Sequence, residues 1–256
     1  MQPLLLLLAF LLPPRAGTEE IMGAHEAKPH SRPYMAFLQI WDQGARERYF
    51  CCGSLIQEDF VLTAAHCWGS SINVTLGAHN ITEQEKTQQV IPVKRAMRHP
   101  AYDSKRFFND IMLLQLETKA RRTAAVRPLK LPKRMGLVKP GEDCSVAGWG
   151  RTVLGNKNPD TLQEEMLTVQ QDRTCESLFR RNYRKATEMC VGDPKTTNTI
   201  FKGDSGGPLV CKKVTQGIMS RGKIIGTPPV IFVKISRFLT WIRKTMKRSR
   251  QRKAQD

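Results

Sequence analysis

The stretch Gly203-Asp204-Ser205-Gly206-Gly207-Pro208-Leu209 places a serine in a glycine-rich turn just before a short apolar run. Similar runs, rich in β-branched and aromatic residues, recur along the chain between clusters of Gly, Asn, Asp and Pro. They cover residues 37–41, 54–56, 60–63, 72–76, 111–116, 144–147, 208–211 and 230–233. Many short strands without alternating long helices predict β-barrels or a β-sandwich rather than a parallel α/β sheet. The sequence therefore predicts an all-β fold.

Two further segments organise the predicted β-rich chain. Segment 117–132 is basic and contains Pro128, and we expect the chain to cross there between two halves. One helix is expected at the C-terminus, over about 236–248, with Ser236 as its N-cap. Its apolar residues recur at helical spacing and are Phe238, Leu239, Trp241, Ile242 and Met246.

The composition leaves two broad classes of protein open. The chain has 256 residues, a formal net charge of +18 and seven cysteines. Its 40% hydrophobic content excludes a disordered chain, and 18 glycines with 15 prolines are too few for a collagen or a linker protein. A secreted disulfide-containing protein and a nucleic-acid binder both fit a basic chain with several cysteines.

The N-terminal residues favour the secreted class. An apolar run over 4–12 is followed by two prolines and small residues, so we predict a signal peptide over 1–18, cleaved after Thr18. The run is shorter than the about 20 residues that a helix needs to span a bilayer, and no later stretch approaches that length. We therefore expect folding in an oxidising compartment. Two N-x-T triplets are glycan acceptors in such a compartment, at Asn73 and Asn80.

Three neighbourhoods carry residues suited to nucleophilic catalysis. Segment 62–67 ends an apolar run at His66, segment 109–114 begins another with Asp110, and Ser205 lies in the glycine-rich turn. A serine hydroxyl is a poor nucleophile at neutral pH and needs an adjacent base. An imidazole supplies that base when a carboxylate fixes its tautomer. Each neighbourhood alone is common in proteins, so the assignment depends on all three occurring together.

The order of these residues, with their surroundings, resembles the chymotrypsin-like serine proteases. The resemblance extends from Ile21 to about Trp241 and includes Ile21-Met22-Gly23 and Ser145-Val146-Ala147-Gly148-Trp149-Gly150. Segments 26–36, 75–81 and 201–204 are similar to granzymes of the B and H types, which are granule proteases of cytotoxic lymphocytes.

This resemblance implies a fold and a catalytic arrangement. The implied fold is two antiparallel six-stranded β-barrels, over about 21–125 and 126–235, with the active site between them and the C-terminal helix packed on the second. The implied catalytic residues are His66, Asp110 and Ser205, with the backbone N–H groups of Gly203 and Ser205 forming the oxyanion hole.

The resemblance also implies an activation step. Glu19 and Glu20 correspond to the dipeptide that granzymes lose to a dipeptidyl peptidase, so the protease domain is expected to begin at Ile21 and to continue to residue 256. The new amine of Ile21 would then pair with Asp204 and assemble the oxyanion hole.

The family pattern accounts for six of the seven cysteines. It pairs Cys51 with Cys67, Cys144 with Cys211, and Cys175 with Cys190. Cys52 stands where the family has glycine, which leaves two interpretations. The one we favour is a tolerated, buried small side chain; the other is a free thiol that crowds the oxyanion loop or mispairs. No Cys or His cluster has the spacing of a structural zinc site, so no metal or other cofactor is expected.

The resemblance also implies which residues line the substrate cleft. They are Thr199, Ile200, Lys202, Ser220, Arg221, Gly222, Val230 and Phe232, with Phe107 in a neighbouring subsite or in ordinary core packing. Granzymes of the B type carry an arginine at the position of Val230, which pairs with a substrate aspartate, and those of the H type carry glycine. Because valine is uncharged and larger than glycine, we predict a preference for a medium apolar residue such as Leu or Met.

Arg221 departs from the family, which usually has an aromatic residue at this place. We expect its side chain to point to solvent, which is the usual position of arginine. The alternative is that it bends into the pocket and restores acidic specificity.

Cationic residues crowd the end of the chain. They are Arg243, Lys244, Lys247, Arg248, Arg250, Arg252 and Lys253. Such a run is typical of a heparin or nucleic-acid patch. In a secreted protein, we expect the sulfated proteoglycan of storage granules rather than a specific nucleic acid.

Two functional classes follow. We expect a secreted granule endopeptidase that cleaves protein substrates and promotes apoptosis of target cells. The alternative is a catalytically silent cationic homologue that acts as a polyanion-binding or antimicrobial protein. The presence of the serine, histidine and aspartate favours the enzyme, while the unusual residues Ala24, Cys52, Arg221 and Val230 keep the alternative open.

Overall fold

The structure, a computed structural model, describes residues 24–44, 46–133, 138–150, 159–196, 204–222 and 228–253, with side chains to Gln251. Several predicted features lie outside these residues. They are the signal peptide, Glu19, Glu20, Ile21, Thr199, Ile200, Lys202 and Gly203.

After a short strand β1 (His25–Glu26), six antiparallel strands form a closed barrel. They are β2 (Met35–Asp42), β3 (Glu47–Gln57), β4 (Phe60–Thr63), β5 (Ser71–Leu76), β6 (Gln89–Arg98) and β7 (Met112–Leu116). Around the barrel they pair in the order β2-β3-β4-β7-β6-β5. Leu38, Leu62 and Leu113 are completely buried in its core. Side chains therefore fill the interior, as in other small barrels.

A second sheet follows a long connection. Its strands are β8 (Asp143–Gly148), β9 (Gln163–Thr168), β10 (Glu188–Val191), β11 (Pro208–Cys211), β12 (Val214–Gly222) and β13 (Val230–Lys234). With β1 at one end, the order is β1-β9-β8-β11-β12-β13-β10. Val169, directly after β9, forms an antiparallel bridge with Val191 of β10, and the N–H of Gly192 donates to the carbonyl of Thr168 over 2.8 Å. These bonds close β8–β13 into a second barrel.

The prediction of an all-β fold with two antiparallel six-stranded barrels and a C-terminal helix is confirmed. The strands that the sequence does not predict are β1, β6, β9, β10 and β12, and a short helix α1 (Asp172–Phe179) is also unpredicted. Polar and charged residues interrupt the apolar pattern in these elements, for example Lys94 and Arg95 in β6. Their positions are determined by pairing with neighbouring strands, which a local pattern does not record.

The crossing between the barrels lies in the predicted region, since β7 ends at Leu116 and β8 begins at Asp143. One segment of the first half nevertheless belongs to the second sheet. Strand β1 pairs with β9, with His25 opposite Glu164, and Arg32 Nε lies 2.7 Å from Glu164 Oε2. The N-terminal segment is thereby attached to the second barrel.

The C-terminal helix α2 (Leu239–Lys253) begins later than expected, after a 3₁₀ turn over Ile235–Arg237. Ser236 is buried within that turn and is not the N-cap. The helix also packs differently from the implied arrangement, because its described side-chain hydrogen bonds and ion pair lie on the first barrel. Ser249 Oγ donates to Gln115 Oε1 over 2.5 Å, and Arg250 Nη2 lies 2.7 Å from Asp59 Oδ1.

The physical reason for this packing is the apolar side of α2. Ile242 and Met246 are buried in the same hydrophobic cluster as the first-barrel strands, and the rings of Phe238 and Trp241 make edge contacts with His99. The helix therefore follows the last strand of the second barrel and covers part of the first. Among the described helices, none is both long enough and apolar enough to cross a membrane.

Three disulfides link the chain. They join Cys51 to Cys67, Cys144 to Cys211, and Cys175 to Cys190. The first connects β3 to the turn that follows β4, and the third connects α1 to β10. All seven cysteines lie in the described residues, and Cys52 is the free one.

Candidate active site

His66 and Asp110 lie together at one end of the first barrel. Strands β4 and β7 are antiparallel neighbours, with Thr63 opposite Met112. Because His66 follows β4 and Asp110 precedes β7, the pairing brings both residues to the same barrel end. His66 Nδ1 lies 2.8 Å from Asp110 Oδ2, and the backbone N–H of His66 donates to Asp110 Oδ1 over 2.9 Å. The carboxylate thus holds the imidazole at two points.

The second barrel contributes a third contact to the same carboxylate. Ser220 Oγ, on β12, donates to Asp110 Oδ2 over 2.6 Å. The Asp110 side chain is completely buried, whereas that of His66 is 21% exposed. A buried carboxylate with three donors is fixed in orientation, and it fixes the tautomer of a histidine that donates through Nδ1. The exposed part of the imidazole is then available as a base.

The glycine-rich turn lies against the same region. The N–H of Cys52 donates to the Ser205 carbonyl over 2.8 Å, and the N–H of Gly206 donates to the Met219 carbonyl over 2.8 Å. The Ser205 carbonyl oxygen also lies 3.7 Å from Cys67 Sγ, a sulfur within 4.8 Å of a ring nitrogen of His66. The serine backbone and the histidine therefore meet at the junction of the two barrels.

Glycine is required at position 206 of this turn. Its φ is +82°, a left-handed conformation that L residues seldom adopt. A methyl group added there would lie 2.1 Å from Thr63 Oγ1 and 2.5 Å from the Cys52 carbonyl oxygen. The turn therefore approaches β3 and β4 more closely than any side chain would allow.

Asp204 is buried beneath the turn. Its Oδ1 accepts a hydrogen bond from the N–H of Gly150 over 2.8 Å, and a methyl group on Gly148 would come within 1.8 Å of the same oxygen. The segment Gly148-Trp149-Gly150 thus encloses the carboxyl group on one side. Ile21, the expected partner of Asp204, lies outside the described residues.

Cys52 is completely buried beside Asp204, with its Sγ 3.9 Å from Asp204 Oδ1. Burial, reinforced by the negative charge of Asp204, raises the pKa of the Cys52 thiol well above its usual range. The thiol packs in an apolar cluster with Phe37 and Trp149. These observations favour the interpretation of Cys52 as a tolerated, buried small side chain.

Arg221 lies inside the protein rather than in solvent. Its side chain is 15% exposed, and Nη1 lies 2.9 Å from Oε1 of the completely buried Glu188. Nη2 donates to the Asn182 carbonyl over 2.6 Å. The expectation that Arg221 points to solvent is therefore wrong, because a buried carboxylate and a carbonyl replace water as its partners. The alternative, a guanidinium available to an acidic substrate, is disfavoured because both terminal nitrogens are engaged.

The remaining residues predicted to line the cleft occupy three different environments. Phe107 borders the histidine, with its ring in edge contact with the imidazole at a centroid distance of 5.6 Å. Gly222 is exposed at the end of β12 and pairs with Val230 of β13. Val230 and Phe232 are buried in the core of the second barrel, where Phe232 has no exposed surface.

The two predicted glycan acceptors lie in the first barrel. Asn73 is exposed on β5, and Asn80 is half-buried, with its Oδ1 accepting hydrogen bonds from the N–H and hydroxyl of Thr82 over 2.9 and 2.8 Å. Their glycosylation stays a prediction.

One group of potential metal ligands occurs among the described residues. It consists of Cys51, His66 and Cys67, whose side-chain ligand atoms lie within 4.8 Å of one another. The two cysteines form a disulfide, so neither supplies the thiolate that a metal site would need. This group therefore does not fit a metal centre.

Two partners in the site are not identified by sequence reasoning. Ser220 was assigned only to the pocket wall, and its bond to Asp110 is not implied by any local pattern. Glu188, the partner of Arg221, had a weak signal, since it is the one acidic residue in the short apolar strand β10. An arginine at a position where the family has an aromatic residue is a second signal of a buried acid nearby.

Comparison with known proteins identifies the family. Residues 21–242 match the family model described as Trypsin. The chain is 66% identical to Homo sapiens granzyme H over 248 residues. The aligned region covers 97% of this chain and 100% of that relative. Homo sapiens granzyme B matches with the same identity and coverage. A solved structure described as "Structure of GrC" has a TM-score of 0.84 and 52% identity, covering 89% of this chain and all of that one. The chain therefore belongs to the trypsin family and is a serine endopeptidase of the granzyme type.

Proposed function

We propose that His66, Asp110 and Ser205 form the catalytic triad of a granule endopeptidase that promotes apoptosis mediated by cytotoxic lymphocytes. The observation that carries this proposal is the arrangement around Asp110, which accepts hydrogen bonds from His66 Nδ1, the His66 backbone and Ser220 Oγ. The granzyme relatives support the granule and apoptotic parts of the proposal.

In the proposed reaction, His66 removes the proton from the Ser205 hydroxyl as its oxygen attacks the substrate carbonyl. Asp110 stabilises the imidazolium that forms. The backbone N–H groups of Gly203 and Ser205 would bind the oxyanion, and loss of one such donor typically lowers turnover by about 10²–10³. His66 then gives its proton to the leaving amine, and water hydrolyses the acyl-enzyme by the same steps.

Titration with a serine-directed covalent inhibitor tests this proposal. Protein that begins at Ile21 should incorporate one equivalent of inhibitor, mapped by mass spectrometry to Ser205. Ser205→Ala should show no labelling, and His66→Ala should be labelled far more slowly. A folded protein that is not labelled would instead support the catalytically silent cationic homologue.

We also propose activation by removal of Glu19 and Glu20 by a dipeptidyl peptidase. The support is the position of Asp204, buried under the serine turn and against Gly148 and Gly150. A new amine at Ile21 that forms an ion pair with this carboxyl group would link cleavage to the position of the turn, because a buried ion pair requires close and specific geometry. Protein that retains Glu19 and Glu20 should not be labelled at Ser205 by the covalent inhibitor. Labelling should appear once this dipeptide has been removed.

The primary pocket is proposed to prefer a medium apolar residue. Val230 supplies no charge, and Arg221 is already paired with Glu188. A substrate carboxylate would therefore lose its hydration without gaining a cationic partner.

Sulfated proteoglycan of the storage granule is the proposed polyanionic partner. Helix α2 exposes Arg243, Lys244, Lys247 and Arg248. A groove of about 560 Å³ between this helix and the end of β6 includes Arg98, Arg237, Lys244 and Arg248 in its lining, together with aromatic and neutral residues. Clustered cations of this kind attract sulfate groups in a salt-dependent way.

A further inference from the structure

The guanidinium of Arg221 connects three separate segments at one edge of the candidate active site. Nη1 lies 2.9 Å from Glu188 Oε1 on β10 and 3.3 Å from the Phe107 carbonyl oxygen in the loop before β7. Nη2 lies 2.6 Å from the Asn182 carbonyl oxygen in the segment after α1. Nη1 is also 3.4 Å from Ser220 Oγ, on the strand that carries Arg221. One side chain therefore holds together segments that are far apart in the sequence.

The ion pair at its centre is buried and complete. The Glu188 side chain has no exposed surface, and its second oxygen, Oε2, accepts a hydrogen bond from the backbone N–H of Arg184 over 2.7 Å. Both carboxylate oxygens therefore have partners. A buried ion pair of this kind adds little to the free energy of folding, because the cost of desolvation offsets much of its attraction. Its clearer effect is to fix the relative positions of the groups that it joins.

Two of the residues that Arg221 contacts border the candidate catalytic residues. Phe107 makes edge contact with the His66 imidazole, and Ser220 donates to Asp110. Asn182, within the segment between α1 and β10, contacts the other terminal nitrogen of the guanidinium. An extended substrate that passes His66 and Phe107 would thus run along a wall whose parts Arg221 keeps in place.

We propose that Arg221, held by Glu188, is a positioning residue that fixes this wall for substrate residues beyond the primary pocket. The proposal rests on the proposed protease function of the same site. Arg221 would act on the binding of extended peptides and not on the chemical step, because Asp110 keeps its three donors without it.

The test compares short and long substrates in a neutral double variant, Arg221→Met with Glu188→Gln. Removing both charges avoids leaving Glu188 buried without a partner, so the variant is expected to fold. For a peptide extended by three residues on the acyl side, KM should rise by about tenfold or more. For a single-residue ester, kcat/KM should stay within about twofold of the native value.

Two further variants make the comparison specific. Arg184→Met removes a cation that lies 4.1 Å from the Phe108 ring centroid but keeps the backbone hydrogen bond to Glu188. It should change neither the KM of the long peptide nor the kcat/KM of the ester. Arg221→Lys keeps the charge opposite Glu188 but loses the forked geometry that reaches Asn182, and it should raise the KM of the long peptide by an intermediate amount.

The outcomes separate this inference from the proposed function. Unchanged KM for the long peptide in both Arg221 variants would overturn the inference, as would equal losses on ester and peptide, which would indicate a general structural role. Failure of the native protein to hydrolyse the ester or to be labelled at Ser205 would instead overturn the proposed function. The inference would be supported if the Arg221 variants raise the KM of the long peptide but keep the kcat/KM of the ester, while Arg184→Met keeps both values.

Discussion

Ser220 Oγ donates a hydrogen bond of 2.6 Å to Asp110 Oδ2, the same oxygen that lies 2.8 Å from His66 Nδ1. Ser220→Ala would remove this donor from a buried carboxylate. A hydrogen bond to a charged group contributes about 1.5–3 kcal/mol, so kcat should fall by about tenfold or more with little change in KM. Ser249→Ala is the matched control. It removes a buried serine hydroxyl that lies on α2, away from Asp110, and it should leave kcat unchanged. A kcat within twofold of native for Ser220→Ala would contradict the prediction.

Glu165 should make stability depend on pH. Its side chain is buried on β9, its Oε2 has no hydrogen-bond partner, and burial raises its pKa from 4.5 to about 7. Below pH 4.5 both the native and the unfolded states hold the proton; between pH 4.5 and 7 the unfolded state loses it first, so the native state loses relative stability as pH rises.

Glu165→Gln should therefore raise the free energy of unfolding by roughly 1–3 kcal/mol above pH 7 and have little effect at pH 4. Chemical denaturation at both pH values measures this difference. Glu164→Gln is the matched control, because its carboxylate is paired with Arg32 and its loss should not stabilise the protein. Equal stability of native protein and Glu165→Gln at pH 8 would count against this assignment.

Substrate preference should follow Val230. A fluorogenic panel that varies the residue before the scissile bond should give the highest kcat/KM for Leu or Met and a value at least about tenfold lower for Asp. Val230→Gly should shift the preference towards Phe by enlarging the space beside Gly222. The prediction fails if the native protein cleaves after aspartate at least as fast as after leucine.

Cys52 should be chemically inert in the folded protein. It is completely buried and its pKa is raised, so a thiol reagent should react with it only after denaturation. One thiol should then be detected, since the other six cysteines form disulfides. Cys52→Ala should keep inhibitor labelling of Ser205 within about twofold. Rapid labelling of native protein would show that the thiol is accessible.

Binding to heparin should depend on the groove beside α2. Replacing Arg98, Lys244 and Arg248 by glutamine should lower the salt concentration at which the protein elutes from a heparin column. A control variant replaces three exposed lysines elsewhere in the first half by glutamine and therefore removes the same charge. They are Lys86, Lys94 and Lys119. If both variants elute equally early, net charge and not the groove determines binding.

Local patterns were sufficient for most of the strands. The apolar runs around Phe60 and Leu113 and the run before Cys211 each lie in a strand, because such residues pack well on a pleated, buried surface. Strands β6 and β9 were missed because charged residues interrupt that pattern, at the exposed Lys94 in β6 and at the buried Glu165 in β9. Helix α1 was missed because it is short: its eight residues place a single pair, Cys175 and Phe179, on the buried side, which is too brief a pattern to identify a helix.

The side of the fold covered by α2 could not be read from its own residues. Phe238, Ile242 and Met246 indicate that the helix has an apolar face, but many surfaces would cover such a face equally well. The helix lies on the first barrel, where Gln115 and Asp59 provide partners for Ser249 and Arg250. These partners are distant in the sequence and become neighbours only in the folded chain.

Sequence patterns alone established the all-β class and the three chemical neighbourhoods of His66, Asp110 and Ser205, because each is encoded by adjacent residues. Tertiary structure was required to join Ser220 to Asp110 and Arg221 to Glu188. These contacts connect strands and loops that are far apart along the chain, and the burial of their charged groups depends on how the barrels pack. Hydrogen bonding and desolvation at such points act through space, so no spacing of residues records them.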